Sequence, residues 1–291
     1  MSLITQLIDG LSLGSVYAVI ALGYTMVYGI AKMLNFAHGD VIMVGGYICY
    51  EIMVSAGMPS ILGILAAMVV CTVLGITIER FAYKPLRKAG SLAVLITAIG
   101  VSYFLQNAAM LIFGSETKTF TSVIPSFALA IKDLSISGLT LVTIVVSVVI
   151  MIALTLFIKK SKIGKAMRAV SEDKDAAELM GINVNSTISV TFAIGSALAA
   201  IAGVLLCSTS KGIMPTTGSM PGIKAFTAAV FGGIGSIPGA MVGGLLLGVI
   251  ETLSKAYISY ELTDAIVFAI LIVVLLVRPT GLFGKKINEK V

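Results

Sequence analysis

AFTAAVFGGIGSIPGAMVGGLLLGVI, residues 225–250, is uncharged throughout and longer than a membrane span needs, yet it does not read as one helix. About 20 apolar residues cross a bilayer. Here Gly232, Gly233, Gly235, Gly239, Gly243, Gly244 and Gly248 crowd around Pro238. Proline removes a backbone donor and clashes with the preceding turn. The stretch therefore predicts a half-length segment to about Phe231, a break, and a helix from about Gly239 to Lys255. Irregular backbone at membrane depth is tolerated only where protein or a water-filled cavity surrounds it. The fold class implied is an all-α, polytopic membrane protein with a broken helix.

The rest of the chain agrees. Of 291 residues, 58% are hydrophobic and 12% charged, whereas soluble domains carry about 25% charged residues. Mean hydropathy is +1.06. A soluble fold could not cover its surface with so few charges. Further spans read as 11–30, 36–56, 60–78, 91–113, 134–158, 188–206 and 262–277, for eight or nine in all. No Lys or Arg precedes the first apolar run, so that run reads as a retained helix rather than a signal peptide. Cys49, Cys71 and Cys207 sit in apolar stretches without paired spacing, which argues against disulfides and metal.

Orientation follows the Lys/Arg bias of short loops. Arg80, Lys84, Arg87 and Lys88 come after span three. Lys159, Lys160, Lys162, Lys165, Arg168 and Lys174 come after span five. Arg278, Lys285, Lys286 and Lys290 form the tail. These three regions are expected to be cytoplasmic. The segment 114–133, with only Lys118 and Lys132, is expected outside, as is the N-terminus. Small residues recur every fourth position at Gly63, Ala67, Cys71 and Gly75, at Gly195, Ala199, Gly203 and Cys207, and at Gly235, Gly239 and Gly243. Such stripes let helix backbones approach closely in lipid.

No GxxxxGK[ST] or HExxH occurs, so the chain has no phosphate loop or zinc-protease motif of its own. Two features remain. One is the pair of candidate breaks, Gly232–Gly235 and the polar stretch Asn35, His38 and Asp40 at the start of span two. Each precedes a Gly-Gly pair, Gly45-Gly46 or Gly243-Gly244, a hint of two repeated halves. His38 and Asp40 read equally well as an interfacial cap, with Asp40 at headgroup depth. Glu251 and Lys255 are spaced to pair along one helix. Gln106 and Asn107 read as interhelical hydrogen-bonding residues. The other feature is the inner loop 159–185, which mixes both charge signs and has the pattern of two short amphipathic helices. That pattern suits a docking surface.

Within this loop, Asp175-Ala176-Ala177 and then, after three residues, Gly181 resemble the EAA-x-x-x-G loop of ABC importer permeases, with Asp for the leading Glu. GLSLGSVYAVIALGYTMVYGI from Gly10, LNFAHGD from Leu34, KAFTAAVFGGIGSIPGAMVGG from Lys224 and RPTGLFG from Arg278 resemble the smaller permease of the branched-chain amino acid ABC importer. The resemblance spans nearly the whole chain. It implies a single permease domain over 1–291, with 159–185 as a coupling loop whose contact residues are Arg168, Asp175, Ala176, Ala177 and Gly181. It implies a second permease subunit, two ATP-binding subunits that hold ATP and Mg, and an extracytoplasmic protein that delivers leucine, isoleucine or valine. The location implied is the bacterial inner membrane, with no cofactor on this chain, no enzymatic activity of its own and no nucleic-acid partner. Asn35, His38, Asp40, Gly232, Gly233 and Gly235 are the candidate path residues. Alternatives are a urea or short-chain amide permease, which has similar motifs, an ion-coupled carrier using Asp40 or Glu51, or a structural membrane subunit.

Overall fold

The computed structural model describes residues 3–87, 89–124, 127–131 and 134–284. Lys88, Lys132, Asp133, Lys285, Lys286 and Lys290, counted above in loop and tail charge, lie outside the described residues. Among the described residues, six helices are long and apolar enough to cross a membrane. They are α1 (Leu3–Ala31), α3 (Ser60–Ile78, extended to Leu86 by a π-helical and a 3-10 turn), α4 (Ser91–Phe113), α5 (Gly138–Lys160), α8 (Val184–Ser210) and α10 (Ile237–Tyr257). Three shorter helices pack with them: α2 (His38–Tyr50, with a π-helical turn Glu51–Ser55), α9 (Ser219–Gly232) and the apolar α11 (Thr263–Val277). Two further helices, α6 (Lys162–Glu172) and α7 (Lys174–Leu179), lie between α5 and α8. Short strands pair β1 (Lys118–Thr119) with β4 (Gly212–Ile213) and β2 (Ala128–Ile131) with β3 (Leu134–Ser137), both antiparallel.

Helices α1 and α8 run longer than the expected 11–30 and 188–206, and one expected span begins as a strand. The stretch from Leu134 was expected to be helical, but Leu134–Ser137 is strand β3 and α5 starts at Gly138. The cause is local: the Ser137 hydroxyl accepts the Thr140 N–H at 3.2 Å and caps the helix there.

At the centre, α1 is buried from Gly14 to Val27. It packs antiparallel on α10, with Gly10 against Val249, Gly14 against Leu245 and Gly244 against Ala18. Two of the three small-residue stripes are buried seams. On α3 the buried residues are Gly63, Ala67, Cys71, Gly75 and Ile78, while Leu62, Leu65, Val69 and Val73 are exposed on the other face. On α8, Gly195, Ala199, Gly203 and Cys207 are all buried. The third stripe does not form. Gly235 stands in the turn before α10, and only Gly239 and Gly243 belong to the helix.

The molecule has two ends. At the basic end the C-terminus of α1 meets α7, the α3–α4 linker meets the start of α8, and the tail meets the α9–α10 turn. At the other end, Lys118 reaches Glu51 and β1 pairs β4. Between these ends α2 and α9 both start inside the bundle. The His38 ring lies against Gly23, eight residues before Ala31, which at 1.5 Å per residue is about 12 Å from the basic end. The turn Gly233–Ser236 closes the basic end of α9, so Ser219 stands roughly 20 Å above it. The two N-termini cross there: a Cβ on Gly39 would meet the Gly218 carbonyl oxygen at 2.6 Å. Two half-length helices thus enter from opposite ends and meet at membrane depth.

Candidate functional site

Both expected breaks exist, and they lie on one pocket. Its walls include Tyr24, Tyr28, Leu34, Asn35, Phe226 and Ile234. Asn35 comes from the irregular segment between α1 and α2, and its side-chain oxygen accepts the Tyr83 hydroxyl at 2.9 Å. Ile234 comes from the α9–α10 turn. Gly233 (φ 102°) and Gly235 (φ 95°) turn the chain there in a conformation that side chains resist. The Ser236 hydroxyl then accepts the Gly239 N–H at 3.2 Å and starts α10, with Pro238 in the first turn, where a missing donor does no harm. The break is therefore a cap-and-turn device, and Pro238 sits where helices tolerate it rather than in a helix interior.

His38 and Asp40 belong to the same region but do not line this pocket. Both are 1% exposed. The His38 ring packs on Tyr24 with centroids 4.6 Å apart, and Tyr24 and Phe36 both pack on Phe226. Asp40 lies in the first turn of α2 and accepts the Gln106 amide N–H at 2.9 Å; Gln106 also reaches Ser219 at 3.2 Å. A carboxylate at a helix N-terminus is favoured by the exposed peptide N–H groups. Asp40 is thus buried at the crossing of α2 and α9. Gln106 does bridge helices, as expected. Asn107 does not show that role; its amide donates to Tyr103 O of its own helix at 2.7 Å.

The sequence reading missed a buried ionic cluster. Glu251 does pair with Lys255, at 2.6 Å. It also accepts Lys224 at 2.9 Å and the Tyr17 hydroxyl at 2.9 Å, and Lys224 reaches Asp264 at 2.6 Å. The cluster ties α1, α9, α10 and α11 together. Lys224 was the available signal: a lysine beside a long apolar run is rare and rarely idle. It escaped notice because the segment was started at Ala225, whereas α9 begins at Ser219.

The loop 159–185 forms the two helices expected of it. Ser161 caps α6 through the Gly164 N–H at 2.8 Å. The Asp173 side chain caps α7 by accepting from Asp175 and Ala176 at 2.9 and 3.0 Å. Gly181 has φ 81° and ends the helix, its N–H bonded to Glu178 O. The five named coupling residues divide. Arg168, Asp175, Ala176 and Gly181 are exposed, and Ala177 is buried against the bundle. Leu179 and Met180, beside Gly181, are 89% and 82% exposed. On the inner side, Lys174 donates to Ala31 O at 2.9 Å. Partial burial, and then the charges of Arg87 and Lys32, push its pKa below the usual lysine value.

Comparison with known proteins places this architecture. The chain is 47% identical to the high-affinity branched-chain amino acid transport system permease protein LivH of Salmonella typhimurium, over 98% of this chain and 97% of that protein. It is 48% identical to the corresponding permease protein BraD of Pseudomonas aeruginosa over the same shares. It is 30% identical to a probable branched-chain amino acid transport permease protein of Methanocaldococcus jannaschii, over 91% of this chain and 87% of that protein. The family profile for the permease component of branched-chain amino acid transport systems matches residues 6–275. The chain is thus a multi-pass membrane protein and a transport subunit rather than an enzyme, and it belongs to the family of branched-chain amino acid transport system permease components.

Proposed function

We propose that this chain is one permease subunit of an ATP-driven importer that carries leucine, isoleucine or valine across the bacterial inner membrane. The observation that carries the reading is near-full-length similarity, at 47% identity, to a permease named for that cargo. The exposed Leu179 and Met180 beside Gly181 support a docking role for α7. Residues 1–291 act as a single permease domain. The basic end faces the cytoplasm, the N-terminus lies outside, and the partners are a second permease subunit, two ATP-binding subunits holding ATP and Mg, and an extracytoplasmic binding protein.

In the mechanism, closure of the ATP-binding subunits pushes the exposed face formed by Asp175, Ala176 and Gly181. Ala177 and α6 pass that push to the bundle. The meeting point of α2 and α9 is where the bundle can yield, because neither helix runs the full depth. An apolar amino acid needs apolar walls and a few polar groups for its ends. Tyr24, Phe226 and Ile234 offer the first and Asn35 the second; His38, packed on Tyr24, and Asp40, held by Gln106, are buried beside it and would have to be uncovered to take part. Gly232 ends α9, and Gly233 and Gly235 make the turn that sets Ile234 into the pocket wall.

The test is to tag the C-terminus, extract the chain gently from its native membrane and identify what accompanies it. Two ATP-binding subunits and a second permease are expected. A chain recovered alone, with uptake that survives ATP depletion but collapses with an ionophore, would favour an ion-coupled carrier built on Asp40.

A further inference from the structure

The exposed side of α7 is the docking side under the functional reading, so whatever α7 conveys must leave through its inward contacts. Within α7 these are few. Ala177 is buried and Lys174 half-buried, whereas Asp175, Ala176, Glu178 and Leu179 are exposed. Ala177 contributes apolar contact to the bundle. Lys174 is different: its ammonium donates to the carbonyl of Ala31, the last residue of α1, at 2.9 Å. A cation there meets the negative end of the helix dipole and an otherwise unpaired carbonyl.

The path of the chain beyond Ala31 makes the contact consequential. Lys32 is left-handed, at φ 57°, and ends the helix. The chain then turns back into the bundle, is held at Asn35 by Tyr83, and starts α2 at His38 beside Gly23. Only the residues 32–37 separate the Lys174 contact from the crossing of α2 and α9. The ammonium also holds its place beside the like charges of Arg87 and Lys32, which burial alone does not reward. Lys174 lies outside the Asp175–Gly181 motif, so its role is not part of the resemblance.

We propose that Lys174 is a positioning residue that couples α7 to the C-terminus of α1, and through it to the re-entrant segment 32–37. The inference rests on the importer reading. Its test uses the complete importer, with binding protein, reconstituted in liposomes. Co-purification of the ATP-binding subunits, branched-chain amino acid uptake and ATP hydrolysis are read together for wild type, Lys174→Met and Lys174→Arg. Lys174→Met should keep its ATP-binding subunits and its ATP hydrolysis, while uptake per ATP falls about tenfold, the scale of one lost charge-assisted hydrogen bond. Lys174→Arg, which keeps the charge and the donor, should recover most of it. Wild-type uptake per ATP in Lys174→Met, or equal loss in Lys174→Arg, would overturn the coupling role. Should Lys174→Met lose its partners, Lys174→Gln, a donor of shorter reach, is read by the same ratio. A wild-type complex without ATP-binding subunits would overturn the functional reading itself.

Discussion

At the scale of the residue, close approach and buried charge set the expectations. Gly39 has no room for a side chain: its Cβ would stand 2.6 Å from the Gly218 carbonyl oxygen. Gly39→Ala should therefore destabilise the purified chain by about 1–3 kcal/mol, the range for overpacking, and lower its unfolding midpoint in detergent. Gly100, within α4, has nothing within 4 Å of a Cβ. Gly100→Ala should stabilise the helix by about 0.5–1 kcal/mol in the same assay. Opposite shifts from one chemical change would show that the crossing, not glycine content, is what matters. Glu251 is the second case. Its side chain is 2% exposed and faces Lys224 and Lys255. Glu251→Gln removes the charge that Lys224 and Lys255 share, while Lys224 keeps Asp264 at 2.6 Å, and should lower stability by about 1–3 kcal/mol, the scale of a weakened buried charged hydrogen bond. Lys255, 35% exposed, lies at the rim of the cluster. Lys255→Met should lower the midpoint far less, by about 0–1 kcal/mol.

At the scale of the element, helices whose limits are set by their own residues were legible, and helices whose limits are set by their neighbours were not. Ser60–Ile78 and Ser91–Phe113 match the expected spans because Pro59 and Gly90 precede them and their apolar runs are unbroken. Helix α9 was read too short because Gly218, the close contact with Gly39, decides its start, and no local pattern announces that contact. The burial of Asp40 was hidden for the same reason: the sequence shows a polar cluster before a span, not the packing of α2 against α9 and Gln106 that covers it. Helix α7 was readable, since its cap at Asp173 and its stop at Gly181 are both local. Its stop is also its weak point. Proline fixes φ near −65° and lacks the N–H that bonds Glu178 O. Gly181→Pro should abolish ATP-coupled uptake while the protein still inserts at normal levels. Uptake assays on membranes with matched protein content would check this, and normal uptake would remove α7 from the coupling route.

At the scale of the whole molecule, the arrangement of ends has to agree with the arrangement of charges. Antiparallel packing of α1 on α10 puts Gly29 near Gly235, and the tail bonds the last carbonyls of α9 through Leu282 and Phe283 at 2.9 and 3.0 Å. Packing alone therefore gathers Arg87, Lys174 and Arg278 at one end. On the Lys/Arg bias, that end is proposed to face the cytoplasm. Labelling can test this directly. Cys49, Cys71 and Cys207 are buried and give a quiet background. Glu116→Cys places a thiol on an exposed position near β1, and Leu179→Cys places one at the exposed end of α7. A membrane-impermeant maleimide should label Glu116→Cys in right-side-out vesicles and Leu179→Cys in inverted ones. In inverted vesicles holding the complete importer, Leu179→Cys should be several-fold slower to react than in the isolated chain, because the ATP-binding subunits cover it. The reverse pattern of sidedness would put α7 outside the cell, where no ATP-binding subunit could reach it, and the importer reading would fall with it. Correct sidedness without protection would keep the permease reading and move the docking surface off Leu179.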